Sequence, residues 1–306
     1  MKGRSLPLAL RAYRSASSAA SLLAPAWLAY RVGKGKEDAE RLAERRGIAS
    51  ADRPEGPLIW VHGASVGEMI CVLPLIERLR ARGYNVLLTS GTLTSSRIAA
   101  QRAPEGVIHQ FVPLDARPFV ARFLDHWDPD LVLLAESELW PNLLHSLSQR
   151  GTPIVLVNGR LSPRSAQRWS KLPRSARALL SRVDLCLAQS PEDAARFQAL
   201  GAPRLEVCGN LKFDVPPPPA DPEALAALAG KIGNRPVLLA ASTHSGEEAL
   251  IMAAHKALRK ELRDLLTIIA PRHPERGEEI AELAEQAGFA AVQRSADALP
   301  EAQTDI

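Results

Sequence analysis

A chain of 306 residues, 46% hydrophobic and 24% charged, can bury a sizeable core and is long for a single one, so two domains are expected. Its three cysteines, Cys71, Cys186 and Cys208, are odd in number and widely spaced, which argues against a disulfide framework or a metal site and for a reducing compartment. The net charge of +4 is uneven, because residues 1–50 carry ten Lys/Arg against four Asp/Glu, a balance of +6 that leaves −2 for the remainder.

The basic N-terminus contains a Leu/Ala-rich stretch from Leu6 to Tyr30, interrupted by Arg11 and Arg14. Its longest uncharged run, Ser15 to Tyr30, has 16 residues, short of the roughly 20 that span a bilayer. Arg31, Lys34 and Lys36 follow at once. The segment reads as an interfacial helix or weak anchor on the cytoplasmic face, drawn to anionic lipid. Ala24-Pro25-Ala26 also fits the small-residue site of a cleaved signal peptide, but the odd cysteines argue against export.

From Pro57 onward, short apolar runs alternate with helical patterns. Seven strands are predicted, at Leu58–Val61, Asn85–Thr89, Val107–Pro113, Leu131–Ala135, Pro153–Val157, Leu185–Ala188 and Leu205–Val207. Two of the cysteines lie in runs that read as buried strands. This rhythm calls for parallel strands with crossover helices, a doubly wound α/β sheet covered on both faces. The run Asp214-Val215-Pro216-Pro217-Pro218-Pro219 can continue neither a helix nor a central strand and reads as a linker. Beyond it a second doubly wound pattern begins, with a helix at Pro222–Lys231, a strand at Val237–Ala241, a helix from Gly246 to Leu262, a strand at Leu265–Ala270, a helix from Pro274 to Ala287 and a weak strand at Ala290–Gln293. The expected boundaries are 1–50 for the membrane-associated segment, 51–213 for the first Rossmann-like domain, 214–220 for the linker and 221–306 for a second Rossmann-like domain with too few strands to close.

No glycine-rich dinucleotide fingerprint, phosphate loop or Cys/His metal spacing is present, so hydride transfer and metal hydrolysis lose support. The informative stretch is His62-Gly63-Ala64-Ser65-Val66-Gly67-Glu68, a small flexible turn and a carboxylate directly behind the first strand. In an open parallel sheet ligands bind at that junction. Ser65 and Glu68 also have the spacing of a helix-capping pair, and the residues alone leave both readings open. Further polar groups stand at strand ends: Glu136 and Glu138 after the fourth, Asn158 and Arg160 after the fifth, Asn210 and Lys212 after the seventh. Converging acids and bases there suit activation of a hydroxyl nucleophile and stabilisation of developing charge. In the second domain, Ser242-Thr243-His244-Ser245-Gly246-Glu247-Glu248 follows a strand and opens a helix, where amides can cradle an anion. Pro271-Arg272-His273-Pro274 repeats the arrangement, and Arg272 offers a forked donor to phosphate. Capping or loop polarity would equally account for His244 and His273, and packing with helix initiation for Trp140 and Pro141.

In order and wording these segments resemble the 3-deoxy-D-manno-octulosonic acid (Kdo) transferases of Gram-negative bacteria. The resemblance is carried by HGASVGE at 62–68, ESELWPN at 136–142, NGRLSPRS at 158–165, GNLKFD at 209–214, ASTHSGEE at 241–248 and APRHPER at 270–276. It implies a GT-B type glycosyltransferase fold of two Rossmann-like domains, an acceptor-binding first and a donor-binding second. It also implies inverting transfer of Kdo from CMP-Kdo to a lipid A precursor (lipid IVA) at the cytoplasmic face of the inner membrane, with no cofactor and no metal. By motif position Glu68 resembles the general base, and Glu136 and Lys212 resemble transition-state stabilisers. Pro271, Arg272, His273, Ser242 and His244 fall on the donor side, and Ser65, Gly67, Glu138 and Arg160 on the acceptor side. The loop Thr89-Ser90-Gly91-Thr92-Leu93-Thr94-Ser95 only loosely matches the family's Thr-rich turn. Family members continue past the equivalent of Ile306 into a Met-Gly-Glu turn and a Gly-Gly-His-Asn loop, so the second domain is expected to be incomplete. Two other functions fit a similar sheet: another sugar-nucleotide enzyme such as an epimerase, or a non-catalytic module that holds a lipid A precursor.

Overall fold

The computed structural model describes residues 6–217 and 220–306. Residues 1–5 of the expected membrane-associated segment, and Pro218 and Pro219 of the expected linker, lie outside the described residues. The chain divides into two compact units, the first ending at Pro216 and the second beginning at Pro217.

The first unit is built on seven parallel strands: β1 (Leu58–Gly63), β2 (Asn85–Ser90), β3 (Ile108–Phe111), β4 (Leu131–Ala135), β5 (Ile154–Gly159), β6 (Leu185–Ala188) and β7 (Leu205–Val207). Their spatial order is β3-β2-β1-β4-β5-β6-β7. Strand β1 is buried along its whole length, and its alternating side chains divide between two cores. Leu58 and Trp60 join Phe123, Trp127 and Leu144 on one face, while Ile59 and Val61 join Met69, Val72 and Ile76 on the other. The buried tryptophans are satisfied: Trp60 Nε1 donates to Thr89 Oγ1 at 2.8 Å, and Trp127 Nε1 to Gln110 Oε1 at 2.9 Å. The cysteines are free thiols, and Cys71 and Cys186 are buried. Cys208 is exposed just past the end of the three-residue β7, not inside a buried strand as its apolar neighbours suggest.

Helix α1 (Leu8–Ala20), a 3-10 turn (Ser21–Leu23) and helix α2 (Ala24–Gly33) precede the sheet. They are fastened to it. Tyr13 Oη donates to Asp115 Oδ2 at 3.0 Å, Asn142 Nδ2 donates to Ser17 Oγ at 2.9 Å, and Leu10 is buried in the sheet's core. Helix α3 (Leu42–Arg45) supplies a second clamp. Arg45 pairs with Glu37 at 2.9 Å and donates to the carbonyls of Val112 and Gly91, while Glu44 Oε2 accepts the Phe111 N–H at 2.7 Å. The opposite side of α1 and α2 leaves Leu8, Leu22, Leu23 and Tyr30 more than 60% exposed, and Arg31 and Lys34 lie over the rings of Trp27 and Tyr30. Among the described residues, no helix is long and apolar enough to cross a membrane.

Asp115 is buried and accepts three hydrogen bonds, from Tyr13, from Asn142 N–H and from Leu143 N–H, so it caps helix α7 (Pro141–Arg150) and holds α1 at once. Burial nonetheless raises its pKa above the ordinary carboxylate value. Removing the hydroxyl in Tyr13→Phe is expected to cost about 1.5–3 kcal/mol, as for a hydrogen bond to a charged group. Urea unfolding measures this, and an unchanged midpoint would show that α1 is held by packing alone.

Between the strands of the first unit lie α4 (Val66–Ala81), α5 (Leu93–Arg102), α6 (Arg117–Trp127), α7, α8 (Pro163–Ser170), α9 (Pro173–Leu180) and α10 (Pro191–Leu200), and the second unit contains α11 (Pro222–Ile232), β8 (Val237–Thr243), α12 (Glu247–Leu258), β9 (Leu266–Pro271) and α13 (Gly277–Gln286). Strands β8 and β9 are parallel neighbours. No regular strand forms at Ala290–Gln293. Ala290 and Val292 bond instead to the last two residues, with Asp305 and Ile306 N–H on Ala290 O and Val292 N–H on Ile306 O, while Thr267 N–H of β9 donates to Asp305 O. Residues 305–306 thus take the ladder position beside β9, over too short a stretch for a regular strand. Helix α12 stops at Leu258 instead of Leu262, and a 3-10 turn at Pro274–Arg276 precedes α13.

Candidate active site

Strand β1 pairs with β2 on one side and β4 on the other, so the chain's progress across the sheet reverses between β1 and β4. In an open parallel sheet the loops leaving two such strands diverge at their carboxyl ends, forming the crevice where ligands bind. Glu68 follows β1 in the first turn of helix α4 (Val66–Ala81), and Glu136 follows β4 directly.

The Glu68 carboxylate is half-buried and held at both oxygens: Oε1 accepts from Ser65 Oγ at 2.7 Å and Oε2 from Ala64 N–H at 2.9 Å. Ser65 in turn accepts the Glu68 N–H at 3.3 Å. The capping geometry is therefore present, and it fixes the carboxylate at the crevice rather than removing it. Close approach of the turn requires Gly63, because a Cβ there would stand 3.1 Å from Met69 N and 3.2 Å from the Glu68 carbonyl carbon. The loosely matching loop after β2 lies against the same turn. Gly91 N–H and Ser95 Oγ both donate to Ala64 O, and Thr92 with Ser95 forms a reciprocal cap on helix α5 (Leu93–Arg102).

Glu136 and Asn158 adopt left-handed backbone conformations, with φ of 54° and 53°. Such angles are uncommon outside glycine and are held only where the surroundings impose them. Here the Glu136 N–H donates to Val157 O at 3.0 Å, and Asn158 works as a three-way tie. Its Oδ1 accepts Leu211 N–H at 3.0 Å, its Nδ2 donates to Cys71 Sγ at 3.2 Å, and its carbonyl accepts Gln189 Nε2. The tie docks the 3-10 turn Leu211–Asp214 onto the sheet end, and Asn210 Oδ1 caps that turn through Lys212 N–H. Lys212 Nζ thereby reaches 3.5 Å from Glu136 Oε1, and lies 4.0 Å from where a Cβ on Gly67 would stand. Glu68, Glu136 and Lys212 thus converge although 144 residues separate the first from the last. Their charges all bear on the thiol of Cys71, which burial pushes up to about 11, leaving it a packing residue.

The remaining first-unit candidates separate. Ser65 is committed to Glu68, Gly67 is exposed beside Lys212, and Arg160 is exposed with no side-chain partner among the described residues. Glu138 accepts the indole N–H of Trp140 and lies 3.8 Å from His62 Nε2. Burial opposes ionisation of Glu138, but His62 and Trp140 outweigh it and hold its pKa below the ordinary value. Pro141 opens α7, whereas Trp140 is 38% exposed and serves Glu138 instead of packing in a core. His62 had no role from its residue type alone. It is fully buried, its Nδ1 lies 2.8 Å from Thr89 Oγ1, and its Nε2 faces Glu138.

In the second unit, Ser242, at φ 60°, and His244 flank the end of β8, and Arg272 N–H donates to Thr243 O at 3.0 Å, which brings the two polar loops together. The His244 and His273 rings meet edge to face at 6.4 Å between centroids. Pro271 closes β9. Of the two arginines in APRHPER, Arg276 is consumed by Glu248 at 2.8 Å and Glu279 at 3.1 Å, whereas the exposed Arg272 guanidinium has no partner among the described residues. Hydrogen bonds from Arg276, reinforced by Thr243, hold buried Glu248 down to about 2 despite its burial. Its contribution to stability is present above the ordinary carboxylate value of 4.5 and is lost as pH falls from there toward about 2. Acid titration by circular dichroism should show a shallower loss over that window in Glu248→Gln; an unchanged acid limb would contradict the linkage.

An open parallel sheet with acids and a base gathered at its switch point defines an α/β protein of Rossmann type, in the architecture of GT-B glycosyltransferases and the epimerases that share it. A UDP-GlcNAc 2-epimerase from Neisseria meningitidis, solved bound to UDP-GlcNAc, has this fold with a TM-score of 0.51 at 14% identity, covering 76% of this chain and 70% of that one. A glycosyltransferase from Rickettsia africae matches with a TM-score of 0.50 at 13% identity, covering 77% and 66%. The chain belongs to the 3-deoxy-D-manno-octulosonic acid transferase (kdotransferase) family, whose model matches residues 40–215. A protein of Haemophilus influenzae named 3-deoxy-D-manno-octulosonic acid transferase is 36% identical over 282 residues, covering 87% of this chain and 64% of that protein. The chain thus spans a little under two thirds of that relative's length.

Proposed function

We propose that this chain forms the acceptor-binding half and part of the donor-binding half of an inverting glycosyltransferase, which moves Kdo from CMP-Kdo to a lipid A precursor in lipopolysaccharide synthesis. The reading is carried by one observation: Glu68, Glu136 and Lys212, the three residues matching the family's reactive positions, meet at the β1/β4 switch point. In the proposed step Glu68 takes the proton of the acceptor hydroxyl while that oxygen bonds to the Kdo anomeric carbon. The bond from that carbon to the CMP phosphate breaks with its electron pair, and CMP departs. Lys212 offsets the negative charge gathered on the departing phosphate, and Glu136 orients the ammonium. Ser65, Gly67, Glu138 and Arg160 serve the acceptor side. Pro271, Arg272, His273, Ser242 and His244 serve the donor, with Arg272 gripping the nucleotide phosphate. No cofactor or metal takes part.

The exposed apolar side of α1 and α2, with Arg31 and Lys34 beside it, fits attachment to an anionic inner-membrane surface on its cytoplasmic face, where a phosphorylated lipid acceptor resides. Vesicle flotation combined with CMP-Kdo turnover tests the reading. An epimerase would act without lipid, and a lipid-holding module would float without turnover. Arg272→Ala is expected to weaken CMP binding about 10- to 100-fold, the range for losing a charge-assisted hydrogen bond. Unchanged affinity in calorimetry would remove Arg272 from the donor site.

A further inference from the structure

Between Arg160 and Arg182 the chain carries seven cations, Arg160, Arg164, Arg168, Lys171, Arg174, Arg177 and Arg182, and no acid. The last of these lies just past helix α9 (Pro173–Leu180), where α1 and α7 also pack. Arg182 Nη2 stands 3.5 Å from His145 Nδ1 of α7, and its Nη1 donates to Ala178 O. Arg14 on α1, whose neighbours Tyr13 and Ser17 are tied to Asp115 and Asn142, is close enough for its charge to act on Arg182 and His145. Arg117, the first residue of helix α6 (Arg117–Trp127), also acts by its charge on Arg14 and His145.

Among the described residues ten other arginines are ion-paired, whereas Arg14, Arg117 and Arg182 form no ion pair. Two guanidinium nitrogens, Arg14 Nη1 and Arg182 Nε, are buried without a hydrogen-bond partner among those residues. A buried unpaired donor costs about 1–3 kcal/mol, more when charged. Asp115 offers Arg14 only partial relief, because both its oxygens are already occupied. Burial and then the neighbouring guanidiniums of Arg14, Arg182 and Arg117 press the His145 imidazole down to about 4.

The geometry points to a phosphate-binding site formed by Arg14, Arg117 and Arg182, with His145 beside Arg182, separate from Glu68, Glu136 and Lys212. A phosphate's several acceptor oxygens can take the orphaned forked donors of more than one arginine, and its charge offsets their repulsion. Either free phosphate or the phosphomonoester headgroup of a lipid presents this chemistry. The site does not rest on the transferase reading.

The groups that set the His145 titration are Arg14 on α1, Arg117 on α6, Arg182 beyond α9, and Asp115 acting through Arg14. Bound phosphate should therefore move its midpoint from about 4 to about 5 or above, the effect of an opposite charge within a few ångströms. NMR titration of the 306-residue chain reads this, using inorganic phosphate, phosphatidic acid vesicles and phosphatidylcholine vesicles, each against sodium chloride at matched ionic strength. A response to inorganic phosphate identifies a free phosphate ligand, and a response to phosphatidic acid vesicles alone identifies a lipid headgroup. In both cases Arg182→Gln and the exposed, unpaired Arg117→Gln should reduce the response by at least half, while Arg174→Gln leaves it intact. Arg117→Gln keeps the test decisive if Arg182→Gln fails to fold. No response to either phosphate probe, or an equal response in Arg117→Gln, overturns the site.

Discussion

Glu68→Gln is expected to lower Kdo transfer about 10²- to 10⁴-fold, the usual worth of a positioned general base, with lipid acceptor binding nearly unchanged. The amide is the informative replacement because Glu68 does two things. It completes the cap on α4 through Ser65 and Ala64, and it presents a carboxylate at the β1/β4 crevice. Glutamine can still cap, since Gln substitutes for Glu in such motifs, but it cannot take a proton. Alanine would lose both roles and confound them. If the variant folds with the parent's urea midpoint and loses transfer, the capping role is not what turnover needs. Near-normal turnover in a chain of the relatives' full length would remove Glu68 from the base role.

The second large effect is expected at Lys212. Lys212→Met keeps the stem and removes the charge, and should lower the rate constant of transfer about 10²- to 10³-fold, as for loss of one electrostatic donor at a developing anion. Stability should move little, within about 0.5 kcal/mol, because the side chain is 45% exposed. The turn that carries it is docked through Leu211 N–H on Asn158 and is untouched by the change. The distinguishing readout is the split between KM and kcat. A fall in kcat with KM retained fits charge stabilisation at the departing phosphate, whereas a rise in KM alone would reassign Lys212 to ground-state binding.

The parallel sheet and its polar edge were legible because buried strands alternating with helices leave a periodic trace, and because polar residues follow the strand ends; the strand order that makes β1 and β4 the switch point was not. Glu68, Glu136 and Lys212 could be placed at one sheet edge for that reason. What brings Lys212 to Glu136 could not be read. It depends on Asn158 in a left-handed conformation reaching residue 211, a contact across 53 positions. Long-range pairing also hid the N-terminal clamp, where Tyr13 meets Asp115 across 102 positions. Apolar composition and the flanking cations marked that segment as interfacial, but they could not show that one side of the helix is spent on the sheet domain. His62 and Arg276 illustrate the same limit in opposite directions. A histidine in a strand showed no sign of facing Glu138, and an arginine beside Arg272 showed no sign of being consumed by Glu248. At Ala290–Gln293 the expected strand is replaced by bonds of Ala290 and Val292 to Asp305 and Ile306, a pairing that no apolar run in the sequence marks.

The most direct test is a crystal structure of the Glu68→Gln protein, at the relatives' full length, with CMP and a lipid A precursor analogue bound. The attacking hydroxyl should lie about 2.6–3.2 Å from the side-chain oxygen or nitrogen at position 68, with the Lys212 ammonium turned toward the CMP phosphate. A hydroxyl held instead against Glu138 and His62, with position 68 engaged only in capping, would contradict the assignment.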